Sequence, residues 1–133
     1  MLALLTAATF LPFGHEPAAA SCASPYLTNV DDLVTRPGAT VEIKGAGFAN
    51  GCQDLGSCTT TLGCSECDYG AEPTPRSGIT LTLRQQGRSW PLGTAEAGEN
   101  ATVTWTVDIP SEVKAGWATL VPEHGQRAKV RVR

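Results

Sequence analysis

Five sulfurs carry most of the chemistry this sequence could perform: Cys22, Cys52, Cys58, Cys64 and Cys67. Four of them share one stretch, with the spacing Cys52-x5-Cys58-x5-Cys64-x2-Cys67. Three chemistries suit such a cluster. Two disulfides would staple a long loop, each adding about 2–4 kcal/mol by restricting the unfolded chain, and four cysteines allow three connectivities. Four thiolates would instead hold a tetrahedral zinc ion. Cys64 and Cys67 have knuckle spacing for that role, but the upstream pair is too widely spaced. The same Cys64-Ser65-Glu66-Cys67 run would make a thiol redox centre if it opened a helix after a strand. Here Gly63 precedes it, Asp68-Tyr69-Gly70 follows, and the acidic neighbours disfavour a thiolate.

The amino terminus bears on this choice, because it names the compartment. Leu2 to Phe13 is almost wholly apolar and is interrupted by Pro12. A membrane-spanning helix needs about 20 such residues, so this run has the length of a secretory signal core instead. Small residues follow, and a general signal peptidase would cut after Ala20. Alternatively, Ala19-Ala20-Ser21-Cys22 resembles the lipobox of bacterial lipoproteins, which implies that Cys22 becomes the first mature residue and carries lipid. The sequence departs from that pattern twice: no Lys or Arg follows Met1, and Ala19 stands where Leu or Val is usual. An exported chain meets an oxidising environment, where an odd free thiol is unusual. Lipidating Cys22 leaves four cysteines, enough for two disulfides. Parity therefore favours a tether at Cys22 and staples at Cys52, Cys58, Cys64 and Cys67. The expected organisation is a signal peptide over 1–21, a lipid-attachment Cys and short linker over 22–25, and a folded domain over 26–133. Ala23, Ser24 and Pro25 span only about 10 Å, so the domain should lie close to its membrane.

Catalytic patterns are missing elsewhere. Neither Gly-x-Ser-x-Gly nor His-Glu-x-x-His occurs, and His124 is the only histidine outside the signal. It sits in the turn-like Glu123-His124-Gly125, beside one carboxylate, and no enzyme is expected. The acidic residues Asp31, Asp32, Asp54, Glu66, Asp68 and Glu72 have no calcium-loop order and suit solvated loops. No cofactor is implied. A net charge of −3 provides no footprint for nucleic acid.

These residues must be positioned by strands. Fourteen Gly and nine Pro, without a period, mark frequent turns. Between them run Tyr26–Val30, Thr40–Lys44, Ile79–Arg84, Trp90–Leu92, Thr102–Ile109, Gly116–Val121 and Ala128–Arg133, most alternating apolar with polar. The alternation turns Ile43, Leu81, Trp105, Leu120 and Val130 inward. Gln85-Gln86-Gly87-Arg88 reads as a hairpin turn, and Phe48 plugs the core end after the Gly45-Ala46-Gly47 bend. No helix is expected. Trp117 falls outward, where it either offers a contact surface or packs under a loop. Lys129, Arg131 and Arg133 form a basic stripe that either guards an edge strand or meets an anionic lipid or wall polymer. The fold class is all-β: an immunoglobulin-like antiparallel β-sandwich of about seven strands with a long cysteine-rich loop, residues 49–77.

Pro37-Gly38-Ala39-Thr40-Val41-Glu42-Ile43-Lys44-Gly45-Ala46-Gly47-Phe48 resembles the opening of an IPT/TIG domain. Val107-Asp108-Ile109-Pro110 followed by Ala115-Gly116-Trp117-Ala118-Thr119-Leu120 resembles that family's second signature. The resemblance spans Pro25 to Val132 and implies an immunoglobulin-like binding or spacing module, here in a bacterial, actinobacterial-type exported lipoprotein. The chain departs from the family in the length of the 49–77 connection. The expected function is a non-catalytic cell-envelope module, held at the extracytoplasmic membrane face through Cys22 or else secreted. Its partner would be an envelope protein or polysaccharide, met through Trp117 and the cysteine-rich loop. The alternative is a zinc- or thiol-redox-active envelope protein.

Overall fold

Alternating sequence becomes paired strand wherever a neighbouring strand can bury the apolar side. The computed structural model of the chain describes residues 24–51 and 72–133. Within them lie ten strands and no helix: β1 (Tyr26–Leu27), β2 (Val34–Thr35), β3 (Thr40–Ala46), β4 (Ala49–Asn50), β5 (Thr74–Pro75), β6 (Ile79–Gln85), β7 (Arg88–Ala95), β8 (Val103–Asp108), β9 (Gly116–Pro122) and β10 (Ala128–Val132). They form a three-stranded sheet, β1-β3-β8, a five-stranded sheet, β2-β10-β9-β6-β7, and a two-stranded ribbon, β4-β5. The signal segment, Cys22 and the other four cysteines lie outside the described residues.

Both larger sheets turn their apolar sides into one core. Ile43, Val103, Trp105 and Val107 come from the smaller sheet, and Ile79, Leu81, Leu83, Leu120, Val130 and Val132 from the larger. Trp105 joins the two. Its buried indole N–H donates to the Ile79 carbonyl at 2.9 Å, and its ring meets Phe48 edge-to-face at 5.6 Å. This contact explains the two glycines before Phe48. Gly47 makes the bend, with a φ of 80°. Gly45 makes room instead: a Cβ there would stand 2.6 Å from the Phe48 ring.

Each of the seven expected regions contains a strand, although the first, expected over Tyr26–Val30, keeps only Tyr26–Leu27. Gln86 and Gly87 both have positive φ between the paired Gln85 and Arg88, the geometry of a two-residue primed hairpin turn. The structure differs from expectation in three further places. The strand expected over Trp90–Leu92 runs from Arg88 to Ala95, because β6 pairs with it along its whole length around a bulge near Leu81 and Thr82. The turn-like 31–37 segment contains β2, which lies parallel to β10, so the pairing is not purely antiparallel. After leaving β1 beside β3, the chain crosses to the edge of the other sheet, where β10 is the strand within reach. The described ends of the 49–77 connection pair with each other: Ala49 with Pro75 and Asn50 with Thr74. Arg76 seals this base, with its backbone N–H bonding to the Phe48 carbonyl and its guanidinium to the Ala49 carbonyl.

The strands define two ends of the molecule. At one, Gln126 N–H donates to the Pro25 carbonyl at 2.8 Å, so the start of the described chain lies against the β9–β10 turn. The β4–β5 ribbon follows Gly47, itself beside Pro25, at the same end. Trp117 opens β9 and Arg131 nears the close of β10, which places both toward the opposite end. Five steps along β9 separate Trp117 from Pro122, about 17 Å at strand rise.

Candidate functional site

Strand alternation places Trp117 outside the core, while Ala118 and Leu120 are buried. It is the most exposed large apolar side chain among the described residues, at 61% of its surface, followed by Val34 at 48%. Pairing brings the two onto one line. Trp117 is opposite Arg131, and Arg131 is opposite Val34. The Arg131 guanidinium carbon stands 5.1 Å from the indole centroid, a cation–π contact. One turn of the pleat away runs a second line: Lys129 opposite Thr119, and Thr119 opposite Arg84. The basic stripe and the outward tryptophan, separate features of the sequence, therefore form one surface. Arg84 joins them from β6.

The electrostatics of this face are one-sided. The five strands that form it put Arg84, Lys129 and Arg131 on this side and contain no Asp or Glu, while Arg88, opposite buried Gln85, stacks on Trp90 on the other side of the sheet. Arg133 follows directly, its N–H bonded to the Thr35 carbonyl. Among the described residues, none of these cations has a carboxylate within ion-pair distance. Trp117 stands as a ridge between two grooves. One, of about 340 Å³, includes Val34, Lys129 and Arg131; the other, of about 370 Å³, includes Arg84, Arg88 and Thr119. Asp31 and Asp32, exposed in the turn before β2, edge the first groove and supply its negative charge.

Two backbone devices hold Trp117 in place. Gly116 has a φ of 130°, a region that side chains rarely adopt, so the entry to β9 depends on glycine. Gln85, buried at the end of β6, clamps the preceding turn. Its amide nitrogen donates to the Lys114 carbonyl at 2.7 Å, and its oxygen accepts from the Lys114 N–H at 2.8 Å. Arg84 was legible as an outward member of ITLTLR. Gln85 carries no such signal, because a buried glutamine that copies backbone pairing looks like a turn residue.

His124 lies at the opposite end, in the β9–β10 turn with a φ of 61°. Its Nε2 is 3.5 Å from Glu123 Oε1, while Glu123 Oε2 accepts from the Thr80 N–H at 3.2 Å. Glu123 thus ties the turn to β6 and is the one carboxylate beside the histidine among the described residues. Those residues also hold no group of three or more side chains able to bind a metal. Cys22, Cys52, Cys58, Cys64 and Cys67 lie outside the described residues; of their surroundings, only the paired base of the insertion is on view. No protein-family model and no curated protein matches the chain.

Proposed function

We propose that this chain is an exported lipoprotein whose folded part is an IPT/TIG-like immunoglobulin-like sandwich, working as a non-catalytic binding module at the cell envelope. Cys22 carries the lipid, and Cys52, Cys58, Cys64 and Cys67 close two disulfides within the insertion. Sheets of three and five strands around one core support the sandwich reading, as does the early crossing from β1 in one sheet to β2 in the other. The binding reading is carried by one observation: the register that lines up Val34, Arg131 and Trp117 on a sheet face whose strands contain no Asp or Glu. Exposed aromatic and arginine side chains set together are the residue types that dominate contact energies. A paired β4–β5 base suits staples in the insertion, since it already brings the two ends of the loop together.

Intact-mass measurement of the protein from the membrane fraction, with and without thiol alkylation, tests the reading. The expected product begins at diacylated Cys22 and has no alkylatable thiol. A chain beginning at Ser21 with free Cys22 would make the module secreted and untethered. Four alkylatable thiols at Cys52 to Cys67 would move the function to metal or redox chemistry.

A further inference from the structure

We propose that the outer face of the five-stranded sheet binds an anionic polysaccharide, laid across the strands along the Trp117 ridge. This rests on the reading of the chain as a binding module and names its ligand class. The two charged lines, Val34–Arg131–Trp117 and Lys129–Thr119–Arg84, run across the sheet and not along one strand. From β2 to β7 the sheet is four strand spacings wide, about 19 Å, which suits an extended polymer better than a single small ion. Trp117 borders a groove on either side, and each groove has its own cations. An indole offers a flat apolar surface for the C–H face of a sugar ring. Arg131, already stacked on that indole, is held ready for a carboxylate or phosphate.

A bilayer fits the same face poorly. Asp31 and Asp32 line the groove that also holds Lys129 and Arg131. A broad anionic surface would meet those carboxylates together with the arginines, whereas a single chain can lie over Trp117 and the carboxylate-free groove beside Arg84 and Thr119. Val34 and Trp117 are also separated by Arg131, so no continuous apolar patch is available to enter lipid. The site lies toward the end of the molecule away from Pro25. A tether reaching Pro25 from Cys22 would therefore point this face outward from the membrane.

The test is binding of the full oxidised chain to two soluble probes, polygalacturonate and a phosphomannan (a polysaccharide carrying phosphodiesters), with neutral dextran and phosphatidylglycerol vesicles as comparisons. Tryptophan fluorescence and calorimetry provide the readouts. At least one anionic polymer should bind, more weakly as salt rises, while dextran should not. Preference for one polymer identifies the anion as carboxylate or phosphate, and either supports the proposal. Trp117→Ala and Arg131→Gln should each weaken binding about tenfold or more, with circular dichroism unchanged. Glu42→Gln, on the opposite face, should leave it as it was. The proposal is overturned if neither polymer binds at low salt, if the folded Trp117 and Arg131 variants bind normally, or if vesicles bind while polymers do not. These outcomes are separate from tethering: a chain cut before Ser21 can still bind the polymer, and a lipidated chain can fail to.

Discussion

The outer faces of the two sheets arise from the same alternation but arrange their charges oppositely. On the β1–β3–β8 sheet, half of the exposed positions of β3 and β8 are threonine, and each carboxylate has a local partner. The Glu42 carboxylate is 3.2 Å from Lys44 Nζ, and Asp108 accepts the Thr40 hydroxyl proton. On the five-stranded sheet the cations have no acidic neighbours in their strands, and the largest exposed aromatic lies among them. A face whose carboxylates are engaged by a neighbouring cation or hydroxyl has less attraction left for a ligand. A face whose strands hold only cations repels itself slightly and keeps more of its attraction for something outside. On the binding role proposed above, this difference is what marks the larger sheet's face as the recognition surface.

That comparison assumes that both faces hang on one core, and Trp105 is where the assumption breaks most easily. Trp105→Ala removes the edge contact with Phe48 and leaves the Ile79 carbonyl without its donor. The expected loss is about 3–5 kcal/mol, read by urea denaturation of the oxidised chain. Near- and far-ultraviolet signals should unfold in one transition. Two separated transitions would mean that the sheets are independent, and the contrast between their faces would lose its common scaffold.

Gln85→Ala sharpens the contrast from one side. It strips both partners from the Lys114 backbone just ahead of Trp117, and burial makes this cost about 1–3 kcal/mol. The turn before β9 should loosen, so amide exchange at Lys114 should rise while exchange in β3 and β8 stays unchanged. Equal changes on both sheets would show that Gln85 serves general stability and does not specifically position the ridge.

Much of this was legible because each long strand states its own orientation. The alternations TVEIK, ITLTLR, TVTWTVDI and AKVRVR set which residues point inward, and Trp105 and Trp117 fell on opposite sides for that reason alone. What escaped was long-range. Val34 sits in a segment with too few residues to show a period, and only its pairing with Arg131 makes it part of the site. Register between distant strands likewise decides that Arg84 joins Lys129 across Thr119. The ribbon at the base of the insertion escaped too, since two residues on each side carry no pattern before they meet.

A smaller effect is expected at Arg131. Arg131→Gln removes a cation–π contact at a partly solvated site, worth about 0.5–1 kcal/mol, and at the same time relieves repulsion from Lys129 and Arg133. The net change in denaturation midpoint should therefore be slight, and smaller in low salt, where that relief is greatest. A large loss would mean that the stack is structural, and this face would then resemble its opposite in being satisfied from within.

The smallest effect belongs to the Glu42–Lys44 pair. Both side chains are more than half exposed, and their attraction is screened by water and salt. Lys44→Ala should cost about 0–0.5 kcal/mol, and this should vanish at high salt. The same change tests charge matching: with Lys44 gone, Glu42 has lost its neighbour, and the smaller sheet's face becomes more acidic. A polycation that ignores the unaltered protein at moderate salt should then bind weakly. If it binds both forms alike, the pairing of Glu42 with Lys44 is not what keeps that face quiet, and the contrast between the faces rests on the larger sheet alone.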